Sequence, residues 1–156
     1  MQKRLMVAVI AAATCAGLPA LAATDAECQA MWTKADTNKD GKLSDAEAQR
    51  YLAMMRVHDY KKIPTKAVDQ ASFIEACKAD VFAPHKADSG APLKGANSFT
   101  EGQARDRAMA HGFGNVSGLK KDDDGIWRGQ ATGDDGKPVE IAVDYKGNVV
   151  PTTKSR

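Results

Sequence analysis

The chain has 156 residues, and its 22 Lys and Arg side chains almost balance its 20 Asp and Glu side chains. This length accommodates one modest domain or two small domains and excludes a large multidomain enzyme. The sequence has no cluster of basic residues with interleaved aromatic residues, so we expect no nucleic-acid partner.

The N-terminal segment, residues 1–22, has the pattern of a cleaved secretory signal. Two basic residues precede an apolar run over residues 5–13, and small residues follow at the spacing that suits cleavage near Ala22 or Ala23. The apolar run is too short to span a membrane. We therefore expect a periplasmic or secreted protein with no membrane span in the mature chain. A lipid anchor at Cys15 is the alternative, but the residues before it lack the leucine-rich pattern of such sites.

Removal of the signal would leave two cysteines, Cys28 and Cys77, in a compartment that favours oxidation. A disulfide between them is the simplest interpretation, because exported thiols without partners are exposed to oxidation and mispairing. Two buried free thiols are the alternative. Closing a loop of roughly 50 residues would stabilise the fold by about 4 kcal/mol through chain entropy.

The segment that follows the signal, residues 24–83, is predicted to be helical. Apolar residues recur at i, i+3, i+4 and i+7 between Cys28 and Ala35, and the segment 51–57 partly repeats this period. Only Pro64 interrupts the pattern. We therefore expect the whole segment to form one domain that is built from helices.

Residues 36–47, between the first two helical segments, match the twelve-residue calcium loop at every ligand position. Oxygen donors at alternate positions form the hard shell that Ca²⁺ prefers, and Gly41 permits the bend at position six. Glu47, at position twelve, would give both carboxylate oxygens. Ser44 and Glu47 also match a helix capping box, but we expect the ion rather than the cap to bind Glu47. The predicted metal ligands are Asp36, Asn38, Asp40, the backbone carbonyl of Lys42, Ser44 and Glu47.

With an aromatic residue before it and two apolar residues after it, this loop resembles the EF-hand calcium-binding family over residues 25–82. The resemblance implies a pair of loops, each between two helices. A second loop, counted back twelve residues from Glu75, lacks calcium ligands at its first, third and fifth positions, so we expect it to be vestigial. The expected cofactor is Ca²⁺, with a Kd on the order of 10⁻⁴–10⁻³ M as in extracellular modules. An acidic surface turn that binds no ion is the alternative.

Residues 84–97 are rich in Pro, Gly and Ala and predict a linker. After it, a helix with a capping box at Thr100 or Ser98 is expected to end near His111. Short β-prone runs separated by Asp-Gly turns then predict an antiparallel meander. Residues 98–152 are therefore expected to form a small domain of one helix and an antiparallel sheet.

Three segments of this region, residues 99–104, 124–129 and 143–149, resemble the PepSY-like domains of bacterial exported proteins, and the similarity covers residues 98–150. The resemblance implies a small α+β fold that restrains peptidases or regulates partner proteins, and it implies no catalysis. We therefore predict the fold class α + (α+β): an N-terminal EF-hand-like helical unit, a linker, and a C-terminal PepSY-like helix with an antiparallel sheet. An envelope protein or peptidase is the expected macromolecular partner.

The sequence contains no recognisable catalytic motif, since its three histidines lie far apart and no nucleophile elbow, phosphate-binding loop or zinc motif occurs. We expect no enzymatic activity. The first hypothesis is an exported calcium-binding protein whose C-terminal module contacts another envelope protein. The alternative is a PepSY-type regulator or inhibitor of an envelope peptidase or sensor, with calcium purely structural; a small envelope enzyme is the third hypothesis. The acidic tracts at 122–124 and 134–135 are interpreted as turns rather than as a second calcium site.

Overall fold

The computed structural model describes residues 22–84 and 87–152. Within these residues the chain forms four helices, a two-stranded sheet and a four-stranded antiparallel sheet, so the predicted mixture of helical and sheet structure is confirmed. The signal segment predicted at residues 1–22 lies outside the described part, except for its last residue. No helix in the described ranges is long and apolar enough to cross a membrane. The helices are α1 (Asp25–Ala35), α2 (Asp45–Val57), α3 (Gln70–Lys78) and α4 (Glu101–Ala110), and the strands are β1 (Lys42–Leu43), β2 (Val68–Asp69), β3 (Gly114–Lys121), β4 (Trp127–Thr132), β5 (Pro138–Val143) and β6 (Val149–Thr152).

Helices α1, α2 and α3 enclose an N-terminal apolar core around Phe73, whose side chain is fully buried. The centroid of its ring lies 5.3 Å from that of Trp32, 4.9 Å from that of Tyr51 and 4.7 Å from that of Phe82. The contacts with Trp32 and Tyr51 are edge-on, an arrangement that stabilises aromatic pairs beyond their burial. This core fixes the two helices between which the candidate calcium loop lies.

A disulfide joins Cys28 of α1 to Cys77 of α3, with the two Cα atoms 5.8 Å apart. Both cysteines are buried in the N-terminal core. The disulfide that the cysteine count predicts is therefore confirmed, and two free thiols are excluded. The crosslink joins residues 49 positions apart in the chain, so it closes a loop that contains the whole of α2 and the candidate calcium loop.

Strands β1 and β2 form a two-residue antiparallel ladder, and each strand leads directly into a helix. Leu43 lies opposite Val68 in this ladder. By this register, the residue that corresponds to Glu47 is Ser72, whereas the count from the sequence places Glu75 there. The count from the sequence relied on the pattern Ser-x-x-Glu at residues 72–75, which ends a calcium loop. The same pattern also occurs inside helices, and here all four residues lie within α3, so the pattern does not show whether Ser72 or Glu75 corresponds to Glu47. A serine at this place offers no carboxylate to an ion.

Strands β3 to β6 form an antiparallel meander in chain order, as the Asp-Gly turns predict. Three tight turns join these strands and begin at Asp122, Gly133 and Asp144, which are eleven residues apart. The third residue after each of these positions is a glycine with a φ of 75–88°, a conformation that glycine adopts without strain. Ala108 of α4 and Ile141 of β5 belong to a second apolar core on one face of this sheet.

The described part of the predicted linker, residues 84 and 87–97, contains no helix or strand, and it lies against the C-terminal sheet. The N–H group of Asp88 donates to the carbonyl oxygen of Val149 at 2.9 Å, and the Val149 N–H group donates to the Asp88 carboxylate at 2.8 Å. Further along, the Leu93 N–H group donates to the carboxylate of Asp144 at 3.1 Å. The segment is therefore attached to β6 and to the turn before it.

Helix α4 packs against α2 and so joins the two units. The guanidinium group of Arg56 on α2 donates two hydrogen bonds of 2.7 Å to the carboxylate of Asp106 on α4. Ala110, at the end of α4, is buried in the N-terminal core, whereas Ala104, at its beginning, is buried in the C-terminal core. The same helix therefore contributes to both cores.

The ion pair between Arg56 and Asp106 provides a measure of the contact between α2 and α4. We expect a double-mutant cycle with Arg56→Ala and Asp106→Ala to give a coupling energy of about 1 kcal/mol, because two charge-assisted hydrogen bonds form at a partly exposed place. Urea unfolding of the four proteins measures it. The exposed pair of Arg105 and Glu101 within α4 is the control, with an expected coupling of about 0.3–0.5 kcal/mol. Equal couplings would contradict a special role for the pair between the helices.

Candidate metal centre

The candidate loop, residues 36–47, runs from the end of α1 to the beginning of α2. Asp36 is the C-cap of α1 and Ser44 is the N-cap of α2. Gly41 has a φ of +81°, and a Cβ atom added there would have no neighbouring atom within 4 Å. The glycine is therefore required by the backbone conformation of the bend and not by lack of space.

The side chains at the first, third and fifth positions of the loop turn back toward its own backbone. The carboxylate of Asp36, which is buried, accepts hydrogen bonds from the N–H groups of Asp40 at 3.2 Å and Gly41 at 3.1 Å. The side-chain oxygen of Asn38 also accepts from the Asp40 N–H group, at 2.9 Å, and the Asp40 carboxylate accepts from the N–H group of Lys42 at 3.0 Å. Three oxygen-bearing side chains are thus drawn together within one turn of the chain.

Glu47, at the twelfth position, reaches across the loop to its beginning. Its Oε1 atom accepts hydrogen bonds from the N–H groups of Thr37 at 2.9 Å and Asn38 at 3.2 Å, and also from the hydroxyl of Thr37. Its Oε2 atom is buried and has no hydrogen-bond partner among the residues that the structure describes. An occluded carboxylate oxygen that has neither a hydrogen-bond partner nor a cation is unfavourable. A bound cation would remove this cost, so the oxygen set fits a metal ion.

The capping box that the sequence offers at the start of α2 is not formed. Ser44 makes no side-chain cap hydrogen bond, and Oε1 of the Glu47 carboxylate accepts from Thr37 and Asn38 at the other end of the loop. The beginning of α2 therefore gives up a cap that is typically worth about 1 kcal/mol. The side chain of Glu47 belongs to the loop rather than to the helix end.

Hydrogen bonding also keeps Glu47 in its charged form. The hydroxyl of Thr37 has the largest effect and holds the pKa of Glu47 below its ordinary value; partial burial acts in the opposite direction, and the N–H groups of Asn38 and Thr37 add to the lowering. The side chain is therefore a carboxylate at neutral pH. A charged oxygen is the form that a divalent cation requires.

Four of the six predicted ligands are linked through backbone N–H groups of the loop, but the carboxylates of Asp36, Asp40 and Glu47 do not form one group that would hold a metal ion. The Asp40 N–H group joins Asp36 to Asn38, and the Asn38 N–H group joins this pair to Glu47. Among residues 22–84 and 87–152, no three His, Cys, Asp or Glu side chains form a group that would hold a metal ion by themselves. Half of the predicted donors are of other kinds, namely the Asn38 amide, the Ser44 hydroxyl and the backbone carbonyl of Lys42.

Thr37 is the one residue of this site that the sequence pattern does not single out. The calcium-loop pattern leaves its second position open, so a hydroxyl there has no distinctive spacing. Its hydroxyl contacts Glu47, so the second and the last positions of the loop meet. This contact forms only when the whole loop has folded, and the sequence pattern therefore does not predict it. The only sequence signal is the hydroxyl itself, next to the first ligand.

The acidic tracts of the C-terminal unit have partners within their own turns. The carboxylate of Asp122 accepts from the N–H groups of Asp124 and Ile126 and pairs with Arg128 at 2.7 Å. The carboxylate of Asp135 accepts from the N–H group of Lys137. These contacts agree with the interpretation of both tracts as turns.

No protein-family model matches this chain, and no curated protein or solved structure matches it either. The EF-hand and PepSY-like resemblances therefore stay predictions drawn from the motifs of the sequence. A function for this chain has to be inferred from the loop itself, that is, from its oxygen donors, its glycine bend and the unpaired oxygen of Glu47.

Proposed function

We propose that the protein binds one Ca²⁺ ion in an EF-hand-like loop at residues 36–47. The observation that carries the proposal is the buried Oε2 atom of Glu47, which has no partner among the described residues and lies in a loop of oxygen donors. A bound Ca²⁺ would supply the divalent charge that compensates the carboxylates of Asp36, Asp40 and Glu47.

The chemistry of the donors favours Ca²⁺ over softer metals. Carboxylate, amide, hydroxyl and carbonyl oxygens are hard ligands, and thiol or imidazole groups are absent from residues 36–47. Two of the three cysteines of the chain, Cys28 and Cys77, are joined to each other in a disulfide. Asp36, Asn38, Asp40, Ser44, Glu47 and the carbonyl of Lys42 would hold the ion.

The second part of the proposal is that the protein is exported and that residues 98–152 form a PepSY-like interaction module. The disulfide is compatible with an oxidising compartment, and the predicted signal at residues 1–22 suits export. One helix and a four-stranded antiparallel meander in this region are compatible with the small α+β fold that the resemblance implies. The partner would be an envelope protein or peptidase.

Glu47→Gln tests the calcium site. We expect the wild-type protein to bind one Ca²⁺ with a Kd on the order of 10⁻⁴–10⁻³ M, and the variant to bind at least about tenfold more weakly, because a neutral amide replaces the charged ligand at position twelve. Calorimetric titration of the oxidised protein with Ca²⁺ measures both constants. Glu75→Gln makes the same change in α3, outside the loop, and should leave the affinity unchanged.

Two results would contradict the proposal. One is the absence of any heat of binding and of any calcium-dependent shift in the melting temperature of the wild-type protein. The other is an equal loss of affinity in Glu47→Gln and Glu75→Gln, which would indicate a general charge effect rather than a ligand at Glu47.

A further inference from the structure

One residue of the loop that is not a predicted ligand, Thr37, contacts Glu47 directly. The following inference about Thr37 rests on the proposed calcium site. We infer that Thr37 is a positioning residue for Glu47: its hydroxyl holds Oε1, so that Oε2 is the oxygen presented to the cation. This inference goes beyond the six predicted ligands, because Thr37 would act on the ion only through Glu47.

The two oxygens of the Glu47 carboxylate have opposite surroundings. Oε1 accepts from three donors, which are the Thr37 hydroxyl and the N–H groups of Thr37 and Asn38. An oxygen of a carboxylate has about two lone-pair directions, so three donors occupy all of its accepting capacity. Oε2 accepts from no described donor and is buried. The carboxylate is therefore divided between an oxygen that fixes its orientation and an oxygen that remains for an ion. Glu47 would thus give the ion one oxygen through this arrangement, and not the two that the calcium-loop pattern predicts.

The backbone alone would orient Glu47 less completely. The N–H groups of Thr37 and Asn38 both belong to the chain just after Asp36 and approach Oε1 from one short segment. The Thr37 hydroxyl is the only one of the three donors that a substitution can remove without changing the backbone. A hydrogen-bonded partner that orients a metal ligand typically contributes about 10–100-fold to metal affinity.

A substitution at Thr37 is expected to change the stability of the fold little, so a loss of Ca²⁺ affinity can be assigned to the lost hydroxyl. Its side chain is exposed, so little apolar surface is buried by it. Valine has the same branched shape and similar backbone preferences, and it differs mainly by replacing the hydroxyl with a methyl group. Thr37→Val therefore removes one hydrogen-bond donor and leaves no cavity.

The test compares Thr37→Val with Thr37→Ser in the full chain, by calorimetric titration with Ca²⁺. We expect the valine variant to bind Ca²⁺ at least about tenfold more weakly than the wild-type protein. The serine variant keeps a hydroxyl and should stay within about threefold of wild type. Thr33→Val makes the same change on the exposed side of α1, outside the loop, and should leave the affinity unchanged.

A second measurement separates positioning from a general loss of stability. Thermal unfolding of the variants in the presence of a chelator should give melting temperatures close to that of wild type. A large drop for Thr37→Val that serine reverses only in part would assign Thr37 a structural role and overturn the inference. Unchanged Ca²⁺ affinity in Thr37→Val, or equal losses in the valine and serine variants, would also overturn it while the calcium site itself stands. A wild-type protein that binds no Ca²⁺ would remove both proposals together.

Discussion

Replacing Cys28 and Cys77 together by alanine is expected to lower the free energy of unfolding by about 4 kcal/mol. The disulfide joins residues 49 positions apart, and opening a loop of this length restores chain entropy to the unfolded state. The loss is a large fraction of the stability of a typical small domain, which is about 5–15 kcal/mol in total. Urea unfolding of the oxidised wild-type protein and of the variant, followed by tryptophan fluorescence, measures the difference.

Chemical reduction of the wild-type protein supplies a control that changes no residue. Treating the wild-type protein with a thiol reductant should reproduce the effect of the double substitution. If the reduced protein and the double variant unfold at the same urea concentration as the oxidised wild type, the disulfide contributes nothing and the expectation is wrong.

Replacing Asp144 by alanine is expected to destabilise the protein by about 3–4 kcal/mol. Asp144 is fully buried, and its carboxylate accepts hydrogen bonds from the N–H groups of Leu93, Lys146 and Asn148 and from the side-chain amide of Asn148. Alanine would leave these partly buried donors without this acceptor, and each donor that water does not reach then costs about 1–3 kcal/mol. Urea unfolding at neutral pH measures the loss.

Asp122 offers a closely matched comparison. It begins the turn between β3 and β4 in the same way, and its carboxylate accepts from the N–H groups two and four residues later, as that of Asp144 does. Its side chain is one-third exposed, so water can replace the lost acceptor. Asp122→Ala should therefore cost only about 1 kcal/mol. Equal losses at both positions would show that burial of Asp144 is not the source of its effect.

The contribution of Asp144 should also depend on pH. Burial is the largest influence and raises the pKa of Asp144, but the hydrogen bonds from Leu93, Asn148 and Lys146 together hold the pKa below the ordinary value of 3.8. Because the pKa is lower in the folded state, ionised Asp144 stabilises the fold above the ordinary value, and this stabilisation is lost as the pH falls below it. The difference between wild type and Asp144→Ala should therefore shrink between pH 7 and pH 3. A difference that is independent of pH would contradict this assignment.

Local features of the fold could be predicted from the sequence, because their causes lie within a few residues. The capping box at Thr100 forms with Gln103 and begins α4, as one of the two proposed caps predicts. The meander follows from turns in which glycine adopts a positive φ. The packing of α4 on α2 could not be predicted, because small alanines such as Ala110 carry no pattern that assigns them to one core or the other.

In the candidate metal centre, too, features that depend on neighbouring residues could be predicted, and features that depend on distant segments or on side-chain orientation could not. The ligand positions of residues 36–47 follow from spacing, since the loop is one continuous segment. The register of β1 and β2 depends on a contact between distant segments, and the count from the sequence therefore placed Glu75 where the ladder places Ser72. The unequal surroundings of the two Glu47 oxygens depend on side-chain orientation, which spacing does not specify.

The position of Ala110 has a practical consequence for dissecting this protein. Its methyl group, although it comes from the C-terminal half of the chain, fills a place in the core of the N-terminal half. A fragment that ends within residues 84–97 would lack this group and α4, and the apolar surface of α2 beneath them would face water. The natural unit for expression and crystallisation therefore extends from the start of α1 to the end of β6, across the boundary that the chain order suggests.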